Sequence, residues 1–176
     1  MTVGPPAAAG THVPIVDADA HNYINGIADL APYLPERWRR YIEQSGMEMP
    51  PVSVYPKMHK AAARRDAWPP TGGKPGSDPD FAREQLLDRW GLDAAILNPL
   101  IGVSLVRNPD LANALMRAVN DWTSDVWLDS DPRWRGSIMV NITDPEAAAS
   151  EIERCAQDDR FVQVLLLARS EGLYGN

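Results

Sequence analysis

Four short runs, Pro14 to Asp17, Ala94 to Asn98, Gly136 to Val140 and Phe161 to Ala168, are apolar and partly β-branched, with no clean alternation of polar residues. A strand wetted on one face alternates, whereas a strand covered on both faces does not, so these runs predict a parallel sheet. Parallel neighbours need crossovers, and the stretches between the last three runs have helical period. Asn108-Pro109 supplies an N-cap and a first-turn proline, followed by Leu111, Leu115, Val119, Trp122 and Val126 at spacings of three and four. Thr143-Asp144-Pro145-Glu146 reads as a capping box in which Thr143 is the cap, and Ala148, Ile152 and Cys155 form the apolar face behind it. Ser77-Asp78-Pro79 opens a third helix with Phe81, Leu86, Leu87 and Trp90 as its apolar positions, and Gly91 ends it. Strands alternating with helices through short connections imply right-handed crossovers and an α/β architecture.

The first connection differs from the others. From His21 to about Asp93, ahead of the helix that opens at Ser77, the chain holds a short helical stretch, Pro35 to Gln44, with Trp38, Tyr41 and Ile42 on one edge. Later comes the passage Trp68-Pro69-Pro70-Thr71-Gly72-Gly73-Lys74-Pro75-Gly76, which excludes regular structure. A loop this long inside a compact domain points to function, and it is expected to cover an active site. Its Gly72-Gly73-Lys74 lacks the spacing and the following Ser or Thr of a phosphate loop.

The chain has 176 residues, enough for one folding unit. The net charge of −7 argues against a nucleic-acid surface, which needs clustered Lys and Arg. One cysteine, Cys155, excludes an internal disulfide and reads as core packing. Residues 1–13 read as a flexible tail without a secretory pattern, and no stretch approaches the length of a membrane span. A cytoplasmic location is expected.

Chemistry concentrates in Ile15-Val16-Asp17-Ala18-Asp19-Ala20-His21. In a strand, residues two apart share a face, so Asp17, Asp19 and His21 would project together. A carboxylate and an imidazole converging from one rigid element supply two ligands for a divalent cation. The alternative is a strand-end carboxylate that caps a helix beside a hydrogen-bonded surface histidine.

Asp17-Ala18-Asp19-Ala20-His21-Asn22, Pro32-Tyr33-Leu34-Pro35-Glu36-Arg37-Trp38 and Gly91-Leu92-Asp93-Ala94-Ala95-Ile96-Leu97-Asn98-Pro99 together resemble the amidohydrolase-related family. This is the branch of metal-dependent TIM-barrel hydrolases and decarboxylases that includes aminocarboxymuconate semialdehyde decarboxylase. Asn120-Asp121-Trp122, Asp131-Pro132-Arg133 and Glu151-Ile152-Glu153-Arg154 fit the same pattern, and the resemblance covers about residues 14 to 172.

The resemblance implies a partial (β/α)8 barrel, the first four βα units with a long loop after strand 1, so that residues 14–176 form the amino-terminal half. It implies that the first strand ends in two alternate metal ligands, usually His-x-His and here Asp19 and His21, holding one divalent ion, Zn or Mn. Asp17 would support the ligands rather than coordinate. The further ligands and the catalytic residues of such enzymes belong to later strands and are expected in the carboxyl-terminal half; neither His12 nor His59 stands where they would. Asn98, Asn141 and Arg169 fall at carboxyl ends of strands, where substrate enters a barrel. Asn98 and Asn141 are candidate substrate contacts, and Arg169 would suit a carboxylate.

The implied function is that of a metal-dependent hydrolase or carboxy-lyase acting on a small carboxylate or cyclic substrate, in which the metal polarises a substrate oxygen and activates water. As it stands, the half barrel is expected to be inactive, and to form a homo-oligomer or require the missing half. The alternative from another class is a non-catalytic half barrel that folds or assembles without metal chemistry.

Overall fold

The computed structural model describes residues 12–48 and 63–166. Four parallel strands, β1 (Val16–Ala20), β2 (Ala94–Leu97), β3 (Trp134–Met139) and β4 (Phe161–Leu165), lie side by side in chain order. Each strand pairs with its successor through a crossover, which is how a (β/α)8 barrel is wound, and the four units form the first part of one. The first strand begins two residues later than its apolar run suggests and reaches Ala20, so both Asp17 and Asp19 lie within it.

Among the described residues, four α-helices accompany the sheet. Helix α1 (Glu36–Ser45) lies in the long first connection, after a 3-10 segment over Ile27–Tyr33. Helix α2 (Pro79–Ala82) is capped by Asp78, whose carboxylate accepts the Phe81 N–H at 3.0 Å. It continues through wide π-type turns over Arg83–Asp88. Those turns shift the helical phase: Leu87 is fully buried, whereas Trp90, expected in the core, is 64% exposed under the Arg89 guanidinium.

Helix α3 (Pro109–Trp122) starts on the Asn108 cap, which accepts from Leu111 N at 3.1 Å, and buries Leu111, Leu115, Val119 and Trp122 as its period predicts. It too widens, over Thr123–Leu128. Trp122, Trp127 and Trp134 then stack edge to face, with centroids 6.3 and 5.8 Å apart, and join this helix to β3. Helix α4 (Pro145–Cys155) is capped by Asp144, which accepts from Ala147 N at 3.1 Å. Thr143, expected as the cap, instead donates its hydroxyl to Asn141 Oδ1 at 2.8 Å. Proline at the first helical position makes the residue before it the cap, one step later than the capping box implies.

Strands β3 and β4 are entered through matching clasps. Asp131 accepts from Arg133 through backbone N–H, Nε and Nη2, and Asp158 does the same for Arg160. Each arginine reaches one more carboxylate on the preceding helical segment, Arg133 to Asp88 at 2.7 Å and Arg160 to Asp129 at 2.5 Å. Among the described residues, no helix is long and apolar enough to cross a membrane.

Candidate metal centre

The Asp-x-His motif lies at the carboxyl end of β1, the end at which barrel enzymes build their sites. Asp19 Oδ1 and His21 Nε2 are 3.8 Å apart, so the two side chains do face one another. Zinc ligands of these types stand about 2.0 to 2.2 Å from the ion, so two of them can be as far as about 4.3 Å apart and still share it. One carboxylate oxygen and one imidazole nitrogen fit zinc, manganese or a related divalent cation. Among the described residues, no third His, Cys, Asp or Glu joins the pair.

Asp17 serves the backbone. Its Oδ1 accepts the Asp19 N–H at 2.9 Å and so braces the strand under that carboxylate. His12 is held at the other end of the sheet by Asp93, at 2.7 Å, while the Asp93 carboxylate also accepts from Ile15 N. His59 and Arg169, with residues 1–11 of the expected tail, lie outside the described residues.

Asn98, directly after β2, touches both members of the pair. Its backbone carbonyl lies 3.1 Å from His21 Nδ1, and its Nδ2 donates to Asp19 Oδ1 at 3.0 Å and to the Ala18 carbonyl at 3.2 Å. Its Oδ1 accepts from Ser137 Oγ at 2.6 Å and from Gln163 Nε2 at 3.2 Å. Asn98 is buried and all four hydrogen-bonding positions of its amide are used inside the protein. Asn141 is also buried. It donates to Asn113 Oδ1 and accepts from the backbone and hydroxyl of Thr143, which fixes the turn into α4. The structure therefore brings Asp19, His21 and Asn98 together, while Asn141 is engaged with α3 and the α4 turn.

Ser137 and Gln163 are polar neighbours that sequence reasoning passed over, because each sits in a run read as apolar. The available signal was a lone polar residue inside each such run, Ser137 before Ile138 and Met139, and Gln163 between Val162 and Val164.

The long first connection is pinned beside the motif. Gly76 O accepts the Tyr23 N–H at 2.7 Å, and Asn25 Oδ1 accepts the Lys74 N–H at 2.9 Å. Lys74 Nζ sits 5.3 Å from the centre of the Tyr23 ring, whose hydroxyl is pushed to higher pKa by burial. Gly76 has φ +76° and lies so close to His21 that a Cβ there would fall 2.7 Å from the His21 carbonyl oxygen.

The clefts on the helical side are separate from this motif. One of about 400 Å³ is lined by Trp38, Met116 and Arg154 among others, and one of about 370 Å³ by Tyr33, Asp121 and Cys155. Between them Glu151, buried, accepts from Arg154 and Asn120. Burial raises the Glu151 pKa, but the Arg154 and Asn120 hydrogen bonds outweigh it and leave the carboxyl below its ordinary range. Burial, and then the Glu151 charge, push the Cys155 thiol up to about 12, which suits a packing residue rather than a nucleophile.

Comparison with known proteins bears on the whole of this region. The profile of a family described as Amidohydrolase matches residues 11–176. Gamma-resorcylate decarboxylase of Polaromonas sp. is 32% identical over 85 residues, covering 48% of this chain and 26% of its own length. The structure of 5-carboxyvanillate decarboxylase from Novosphingobium aromaticivorans, with bound manganese and 3-methoxy-4-hydroxy-5-nitrobenzoic acid, superposes with a TM-score of 0.62. It is 21% identical, and the likeness covers 92% of this chain and 44% of that one. 2,6-Dihydroxybenzoate decarboxylase from Rhizobium gives 0.53 at 19% identity, over 86% of this chain and 37% of that one. The chain thus spans a quarter to less than half of the length of these relatives, and the structural likeness is one of fold.

Proposed function

The chain belongs to the amidohydrolase family, and from that premise we propose that it is the amino-terminal portion of a metal-dependent carboxy-lyase in which Asp19 and His21 are the first two ligands. The observation that carries this reading is the 3.8 Å approach of Asp19 Oδ1 to His21 Nε2 at the carboxyl end of β1. Decarboxylation is favoured over hydrolysis because the relatives named above are decarboxylases. Their names point to a hydroxylated aromatic carboxylate as the small-molecule substrate class. Manganese in one of the similar structures favours Mn over Zn as the divalent ion.

Within this portion Asp19 brings negative charge and an oxygen donor, and His21 brings a neutral nitrogen donor. Asp17 braces the strand beneath them by accepting the Asp19 N–H. A divalent ion held there supplies Lewis-acid polarisation of a substrate oxygen. The segment around Gly76 closes one side of the motif and fixes the backbone of His21.

The catalytic groups and further ligands are assigned to the rest of the barrel, supplied by a longer protein or through a homo-oligomer. Val162, Val164 and Leu166, 48%, 37% and 59% exposed on and just after β4, support a covering partner at that edge. A second reading, a half barrel without metal chemistry, draws on the absence of a third ligand among the described residues.

Metal analysis separates the two. The purified chain is loaded with Mn²⁺ or Zn²⁺, and bound metal is measured beside Asp19→Ala and His21→Ala. Binding in the wild type that either substitution abolishes supports the metal centre; equal background metal in all three proteins selects the inert half barrel.

A further inference from the structure

The hydrogen-bond belt around Asn98 crosses all four strands. Asp19 comes from β1, Asn98 from the end of β2, Ser137 from β3 and Gln163 from β4, each bonded to the next. The β1–β2 register brings Asn98 to this place: Ala20 pairs with Leu97, and the Asn98 N–H donates to the Ala20 carbonyl at 2.7 Å. That bond fixes the backbone of Asn98 beside Ala20, the residue between Asp19 and His21.

The chemistry of the partners settles which way the amide faces. The Ala18 carbonyl can only accept, so the atom facing it at 3.2 Å is the Asn98 nitrogen, and the same nitrogen faces the Asp19 carboxylate. On the other side, Gln163 Nε2 donates both to Ser137 Oγ at 2.9 Å and to Asn98 Oδ1 at 3.2 Å. The Ser137 hydroxyl, which accepts from Gln163, donates its proton to Asn98 Oδ1, at 2.6 Å. A flipped amide would set its oxygen against a carboxylate and a carbonyl, neither of which can donate. Ser137 is completely buried, so its hydroxyl depends on partners within the protein.

The backbone carbonyl of the same residue sets the histidine. A carbonyl accepts only, so the contact from His21 Nδ1 requires the proton on Nδ1 and leaves the Nε2 lone pair free, on the side where Asp19 Oδ1 stands. One residue thereby holds one oxygen of the carboxylate and selects the donor nitrogen of the imidazole.

We propose that Asn98 is the positioning residue for both Asp19 and His21, and that Ser137 and Gln163 lock the orientation in which it acts. The proposal deepens the metal-centre reading and rests on it for its functional meaning, though the arrangement itself is testable in metal-free protein. It replaces substrate contact as the role of Asn98, whose amide has no free position to offer.

The test uses two readouts on wild type, Asn98→Ala and Ser137→Ala. In metal-free protein with His21 neutral, ¹⁵N NMR of His21 is expected to show the proton on Nδ1 in the wild type and in Asn98→Ala alike, because the substitution leaves the backbone carbonyl of residue 98 in place. Titration with Mn²⁺, followed by loss of the free-ion electron paramagnetic resonance signal, is expected to show affinity about 10- to 100-fold weaker in Asn98→Ala, the usual effect of removing a ligand's hydrogen-bond partner. Ser137→Ala touches neither ligand and keeps Asn98; a smaller loss in the same direction is expected, and it decides the matter if Asn98→Ala does not fold. A wild-type His21 protonated on Nε2, or Mn²⁺ affinities within about twofold of wild type in the folded variants, overturns the proposal. A wild type that binds no Mn²⁺ yet carries the Nδ1 proton sinks the metal reading and leaves the placing of His21 by the Asn98 carbonyl standing.

Discussion

Replacing Gly76 by alanine tests whether the long first connection is rigidly fitted to the motif. Gly76 has φ +76°, in the left-handed region, and an L side chain there costs about 1–2 kcal/mol whatever surrounds it. The added Cβ would also lie 2.7 Å from the His21 carbonyl oxygen and 3.6 Å from Tyr23 N, both backbone atoms that no rotamer change can move away. Ordinary contact begins near 3.4 Å, so one of the two backbones must shift by about 0.7 Å. Overpacking of that kind costs about 1–3 kcal/mol further, for a total of about 2–5 kcal/mol.

Gly91 provides the control, because at φ +60° it carries the same conformational penalty and a Cβ there meets nothing within 4 Å. Thermal unfolding of metal-free protein, followed by circular dichroism, should lower Tm by about 2–8 °C in Gly91→Ala, at about 2–4 °C per kcal/mol for a chain of this size. Gly76→Ala should fall by about 2–12 °C more than that. Since the strained contact is with the carbonyl of His21, Gly76→Ala should also weaken Mn²⁺ binding while Gly91→Ala does not. Melting temperatures within about 2 °C of one another, with equal affinities, would show that the connection yields freely and has no part in holding His21.

Two further predictions concern the scaffold. Glu151→Ala removes the acceptor shared by Arg154 and Asn120; breaking a buried ion pair costs about 3–5 kcal/mol, reduced here to about 2–3 kcal/mol because Arg154 is one-third exposed and keeps Asp121 at 2.8 Å. Denaturant unfolding measures it, and a loss below about 1 kcal/mol would remove Glu151 from its place as the hub between α3 and α4. The carboxyls of Asp131 and Asp158 are held below their ordinary value of 3.8 chiefly by hydrogen bonds from Arg133 and Arg160. A depressed folded pKa stabilises above the unfolded value and is lost as pH falls through the folded one, so stability should be level above about pH 5 and decline below pH 3.8. Asp131→Asn should flatten that decline, and an unchanged pH profile of unfolding would count against the clasp.

What could be read in the chain divides by range. Caps, first-turn prolines and the αL glycine are local devices, which is why Asn108, Asp78 and Gly91 mark the elements the structure shows. Period-2 geometry is equally local, and it brings Asp19 and His21 to one side. Errors arise where a local rule meets a competing local choice: the π-type turns rotate Trp90 outward, and Pro145 hands the cap to Asp144 rather than Thr143. The role of Asn98 was not legible, because an asparagine at a strand end looks the same whether it caps a turn or braces a ligand. Its assignment depends on the register of Ala20 against Leu97, set by residues 77 apart.

That dependence explains why the belt is built across strands rather than along one. A carboxylate and an imidazole on a single strand share a face by geometry alone, but neither the choice of carboxylate oxygen nor the imidazole tautomer is fixed by backbone alternation. Both need an outside partner that cannot rotate. An amide meets that need only when its own two ends are distinguished, and here the distinction is made by donors from β3 and acceptors from β1. The sheet register therefore acts on the arrangement directly: a slip of one residue in β2 would remove Asn98 from Asp19 and His21 at once, whereas a slip in β4 would release only the lock on its amide.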